Sequence, residues 1–138
     1  MPSTSLQPTY SAWTPAPDVP AVLYLEGLRD ESPVLVLSLR GEDSLGPILR
    51  LEFTGVRAYR NINESYRMRT WSVWAGRGLG SLFTVEQSHW LEWLDAESVG
   101  LIGYGRQLRH YAVYTPEDCV DIACTQEPRA QWIPARGP

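Results

Sequence analysis

Apolar residues in this chain come in short runs, each closed by glycine, proline or a cluster of turn residues, and only one run has helical spacing. Such a chain builds sheets. Val34–Arg40 is nearly continuous Val and Leu, the pattern of a strand buried on both faces. Leu49, Leu51 and Phe53 alternate with Arg50, Glu52 and Thr54, the pattern of a half-buried strand. Gly55 shifts the alternation to Val56 and Ala58, so a bulge is expected there within one strand, Ile48–Arg60. Asn61–Glu64 then reads as a hairpin loop and Ser65–Trp74 as its return strand. Ala21–Glu26, Ser81–Glu86, Leu108–Tyr114 and Val120–Cys124 complete the predicted strands, the last entered through a tight turn at Thr115–Asp118.

The helical exception is Trp90, Leu91, Trp93 and Leu94, with Ser88 as N-cap and Gly100 as the stop. The spacing predicts a helix from Ser88 to about Glu97 that turns Trp90 and Leu94 to the core and Glu92 to water. The fold class expected is α+β: a mainly antiparallel sheet of about six or seven strands, curled into a roll or half-barrel, with one packed helix. Pro2, Pro8, Pro15, Pro17 and Pro20 make residues 1–20 an extended arm, pinned by Tyr10 and Trp13, ahead of a single domain over 21–138. The tail from Gln126, with three further prolines, is expected to run over the surface. A chain of 138 residues buries roughly 70% of its unfolded surface, enough for a core without staples.

Composition removes several kinds of chemistry. All twelve basic residues are arginine. Without lysine there is no Schiff base, no P-loop lysine and no kinase-type strand lysine. The two cysteines, Cys119 and Cys124, are five positions apart and so fall on opposite faces of a strand. They are expected to be free packing thiols, with Cys124 the deeper because it shares parity with Val120 and Ile122. No apolar run has membrane-spanning length and the N-terminal segment has no basic start, so a cytoplasmic location is expected. No metal and no cofactor is expected.

Charge is uneven. Residues 1–46 hold six acids against two arginines, residues 47–80 two acids against six arginines, and residues 81–138 eight acids against four arginines. In the basic middle, Arg57, Arg60, Arg67, Arg69 and Arg77 interleave with Tyr59, Tyr66, Trp71 and Trp74. Arginine beside aromatics serves single-stranded nucleic acid, protein partners and plain solvated sheets alike. The net charge of −4 disfavours nucleic acid. The binding residues expected are Arg57, Tyr59, Arg67, Arg69, Trp71 and Trp74, with Arg67 and Arg69 reaching solvent.

Catalytic signals are sparse. Gly76, Gly78 and Gly80 lack the spacing and the following helix of a phosphate loop and fit a hairpin turn. His89 with Glu92 is too small a set for a metal. His110, between Arg109 and Tyr111, is expected to point inward with Leu108 while its two neighbours point out. No G-x-S-x-G elbow exists, and no catalytic residue is assigned.

Three segments resemble a known group: Ser88-His-Trp-Leu-Glu-Trp-Leu94, then Arg109-His-Tyr-Ala-Val-Tyr-Thr115, then Cys119-Val-Asp-Ile-Ala123 with Pro128 after it. Together with Phe53–Tyr59 and Glu64 they are similar to small bacterial proteins of the immunity type that sit beside polymorphic toxins. That resemblance implies a toxin-neutralising protein partner and carries no active-site residue. The leading expectation is therefore a non-enzymatic protein-binding module. The alternative is a small-ligand or carbohydrate-binding domain with Trp71 and Trp74 as stacking platforms, which a deep aromatic pocket would favour. A third is a hydrolase using His110 with Glu64 or Asp118, which a histidine–carboxylate pair inside a cleft would favour.

Overall fold

A computed structural model describes residues 7–73, 80–103 and 107–135, apart from the side chains at 69, 72 and 73. Two antiparallel sheets face each other across a core. The first has the strand order β1 (Thr9–Ala12), β6 (Leu82–Glu86), β7 (Arg109–Tyr114), β8 (Asp118–Cys124), β5 (Val56–Asn63). The second runs β2 (Tyr24–Glu31), β3 (Val34–Arg40), β4 (Ile48–Phe53), β9 (Arg129–Ile133). The α+β class holds, as two facing sheets rather than one curled sheet.

The alternation read in β4 is the reason the sheets meet. Leu49, Leu51 and Phe53 join Leu35, Leu37 and Leu39 of β3 and meet Tyr111, Val113, Val120 and Ile122 of the other sheet. Leu23, ahead of β2, is anchored to the same core through its amide, which donates to Ser81 Oγ. Arg50 and Glu52 pair on the opposite face of β4 at 3.0 Å.

Among the described residues there are nine strands, and four departures from expectation account for the difference. Ile48–Arg60 is two strands, because Gly55 adopts φ +66° and the chain turns there; the bulge lies one step later, between Val56 and Ala58. The arm contributes β1, an edge strand on β6, with Trp13 packed on Tyr111 and its amide donating to Leu82 O. The tail contributes β9, paired to β4, because Ala130 and Trp132 pack on the core between prolines that lie outside the strand. Ser65–Trp74 is not a strand. The Asn63 side chain accepts from the Ser65 amide and starts a 3₁₀ turn, Glu64–Tyr66, which leads into a short helix, α1 (Met68–Val73). Arg67 and Trp71 lie four apart and descend on one side of that turn.

The predicted helix is present as α2 (His89–Glu97), with Ser88 Oγ accepting from the Leu91 amide at 3.0 Å. Its anchor differs from expectation. Leu91 is buried, Trp90 and Leu94 are half-buried, and Trp93 is exposed. Both helices lie on the outer face of the five-stranded sheet: Trp71 of α1 packs on Phe83 and Tyr114, and Leu91 of α2 packs on Leu108 and Ala123. That face is therefore buried too. The thiols are free as expected, but Cys119 is as fully buried as Cys124, one under α1 and the other in the main core. Burial pushes both thiols up to about 11.

Gly55 makes an exacting turn. A Cβ there would collide with Thr125 Oγ1, and its φ is strained for any side chain. Gly55→Ala is expected to lower unfolding free energy in urea by about 1–3 kcal/mol. Gly27→Ala, where a Cβ meets nothing within 4 Å, should change it by less than about 1 kcal/mol.

Candidate functional site

The outer face of the five-stranded sheet carries a charge in its middle. Along β8 the outer positions are Cys119, Asp121 and Ala123, and Asp121 has no solvent exposure. Its cross-strand neighbours are Arg60 on β5 and Ala112 on β7. Alanine is small, so the space above Ala112 is open to His110 and Tyr114, two positions to either side on the same face of β7. His110 Nε2 lies 2.6 Å from Asp121 Oδ1, and the Tyr114 hydroxyl donates to the same oxygen at 2.8 Å. Arg60 Nε at 2.9 Å and Arg67 Nη1 at 3.0 Å donate to Oδ2. Arg67 also donates to Thr70 Oγ1 and to the Tyr114 hydroxyl.

The charge states follow from these contacts. Burial opposes ionisation of Asp121, but the hydrogen bond from His110 and the charges of Arg60 and Arg67 hold its carboxyl well below the usual carboxylate range. Burial also works against the charge of Arg67, and the Tyr114 oxygen and Asp121 outweigh it. Burial, reinforced by the Asp121 charge, pushes the Tyr114 phenol well up, so it stays a neutral donor. An ionised carboxylate only accepts, so His110 donates through Nε2–H and a neutral imidazole presents Nδ1 as an acceptor. Ser88 Oγ lies 2.7 Å from that Nδ1. Ser88 is held there by the corner between β6 and α2, where Gln87 takes φ +54°.

The network floors a pocket of roughly 420 Å³. Arg60, Arg67, Ser88, His110 and Tyr114 line the bottom, with Trp90 and Tyr10 as aromatic walls. The Arg60 guanidinium stacks 4.9 Å from the centre of the Trp90 ring. Trp90 meets His110 edge-on at 5.1 Å. Among the described residues the Nη1 and Nη2 groups of Arg60 make no hydrogen bond, and the side chain is 34% exposed. Two guanidinium charges face one carboxylate, so the pocket has a positive surplus. No group of three or more metal-ligating side chains exists among the described residues.

The six residues expected to form a binding patch separate. Arg67 and Trp71 belong to this site. Trp71 meets Tyr114 edge-on at 5.8 Å and donates its indole N–H to Glu64 O, and Arg67, at 10% side-chain exposure, points into the network rather than to solvent. Tyr59 points to the other side of β5, where its hydroxyl donates to Asp30 at 3.0 Å, and Arg57, in the bulge, lines the same cleft. The Arg69 side chain and Trp74 lie outside the described residues. Tyr111, expected to face out, is in the main core, while His110 faces the helices. His110 has the carboxylate partner that the third hypothesis required, but it is Asp121 and not Glu64 or Asp118; Asp118 instead accepts from Asn61. Asp121, Arg60, Tyr114 and Ser88 were not in the expected set. No protein-family profile, curated protein or solved structure matches the chain.

Asp121→Asn is expected to cost about 3–5 kcal/mol at pH 7, because it leaves buried cations uncompensated. The folded pKa of Asp121 is depressed, so its contribution is complete above the unfolded value of about 3.8 and is lost as pH falls through the folded value. The stability gap between wild type and Asp121→Asn should therefore hold from pH 7 to about pH 5 and narrow below that. Urea unfolding across that range reads it directly.

Proposed function

We propose that the protein is a ligand-binding domain whose outer-face pocket receives an anionic group, a carboxylate or a phosphate. The observation that carries this is the positive surplus at a concave site: Arg60 and Arg67 converge on one carboxylate, and the terminal nitrogens of Arg60 remain open to the pocket. Arginine presents a planar fork that matches a carboxylate or phosphate. Here its stem is already ordered by Asp121 and Trp90, which lowers the entropy cost of binding. A pocket of a few hundred Å³ with aromatic walls and a few convergent polar groups has the form of a small-molecule site.

A second occupant is the acidic side chain of a protein partner, in line with the immunity-type resemblance. It is favoured by the apolar surface on the helices that flank the pocket, where Tyr66 is 80% exposed, Met68 71% and Trp93 57%.

Isothermal titration with succinate and with inorganic phosphate tests the pocket. Binding of at least one is expected, weakening as salt rises. Arg60→Gln should weaken it by about tenfold or more and lower the thermal midpoint less than Arg67→Gln does, since Arg60 is the more exposed of the two arginines. Absence of heat with either anion at low salt contradicts the small-ligand form. If an acidic peptide then competes for Arg60 where free anions do not, the protein-partner form stands.

A further inference from the structure

Ser88, His110 and Asp121 form an unbroken hydrogen-bonded chain: Oγ to Nδ1 at 2.7 Å, and Nε2 to Oδ1 at 2.6 Å. A structural cap does not require this. Ser88 already caps α2 through the Leu91 amide, yet its hydroxyl is also held against the histidine by a corner whose Gln87 sits at positive φ. Left-handed backbone at a residue other than glycine persists only where its surroundings enforce it, and such corners cluster at functional sites.

We propose that Ser88 is an acyl-accepting nucleophile, with His110 as its general base, acting on small esters that carry an anionic group. The proposal rests on the anionic pocket described above. Asp121 is a positioning residue: it holds the imidazole in the tautomer whose Nδ1 accepts from Ser88. The chain uses the ring nitrogens in the reverse sense of the familiar serine hydrolase triad, with Nδ1 toward the serine. The chemistry is the same for either nitrogen.

The Ser88 hydroxyl proton passes to His110 Nδ1 as Oγ bonds to the acyl carbon. The ester C–O bond breaks and the leaving alkoxide takes the proton from Nδ1. Water then repeats the sequence, releasing the acid and restoring Ser88. Ser88 caps the N-terminus of α2, the positive end of the helix dipole, which favours a negative charge developing beside it.

Charge sets the substrate class. A proton on Nδ1 would join Arg60 and Arg67 around the single Asp121 carboxylate. An anionic group seated on the open face of Arg60 offsets that accumulation, and a neutral ester does not. Ser88 is 1% exposed and His110 5%, so both lie at the pocket floor and reach only a slim acyl chain. The anionic preference also separates this site from a general esterase.

The test uses the full chain with 4-nitrophenyl hemisuccinate, which is anionic, and 4-nitrophenyl acetate, which is neutral. Nitrophenolate release, intact mass and peptide mapping are followed, with succinate titrated calorimetrically in parallel. The expected result is release above the buffer rate, an acyl group mapped to Ser88, and the anionic ester faster by about tenfold or more. Ser88→Gly keeps a permissive helix cap and should abolish the adduct with an unchanged circular dichroism spectrum. His110→Gln should slow release by about 10²–10⁴-fold. Succinate binding without release above buffer overturns the nucleophile and leaves the pocket intact. Release that persists in Ser88→Gly, or an adduct mapped elsewhere, also overturns it. Equal rates for the two esters overturn the anionic substrate class, and failure of both succinate and inorganic phosphate to bind counts against the pocket itself.

Discussion

One buried carboxylate organises the outer half of this molecule. Asp121 lies at the centre of the five-stranded sheet with no solvent exposure, and its two oxygens are shared among four donors from β5, β7 and the segment leading into α1. Removing a charge from water costs several kcal/mol unless hydrogen bonds and countercharge replace the lost hydration. Here they do, and each donor's position is dictated by that requirement. Arg67 reaches it because the 3₁₀ turn after Asn63 brings the chain back over the sheet. His110 and Tyr114 reach it because Ala112 between them leaves room. The carboxylate thereby ties three strands and α1 into one arrangement, a role apolar packing at this position would not specify.

The same arrangement leaves charge over. One aspartate is matched by two arginines, and only Arg67 is fully engaged within the network. Arg60 stacks on Trp90 and keeps its outer nitrogens toward the pocket. The interaction that stabilises the sheet's outer face therefore also produces an electropositive cleft, with a serine–histidine chain at its floor. The anionic ligand proposed above follows from that imbalance, and the acyl chemistry adds the serine–histidine chain to it.

Much of the fold was legible where single strands announce themselves: Val34–Arg40 as a continuous apolar run, and Leu49, Leu51 and Phe53 as a period-two alternation. Ser88 and α2 were legible from capping and helical spacing. The site was not, for two physical reasons. Asp121 looked like the solvent position of a half-buried strand, since nothing local shows that helices cover that face. Its companions at the same parity, Cys119 and Ala123, are small and apolar, and that was the available signal that the face is not wet. Ser65–Trp74 was misread because its four-residue spacing, Arg67 to Trp71, is too short to register as a helix against the surrounding strands. The expected arginine–aromatic set is split in the fold: Arg67 and Trp71 lie on the outer face, while strand parity sends Tyr59 to the opposite side of the sheet from Arg60.

The ionised state of Asp121 fixes the histidine tautomer and the engagement of Arg67. It is most directly measured by ¹³C carboxyl NMR on aspartate-labelled protein titrated toward acid. The Asp121 signal should keep its carboxylate shift at pH 3, while exposed aspartates titrate with midpoints near about 3.9. A midpoint for Asp121 at or above that ordinary value would contradict the account.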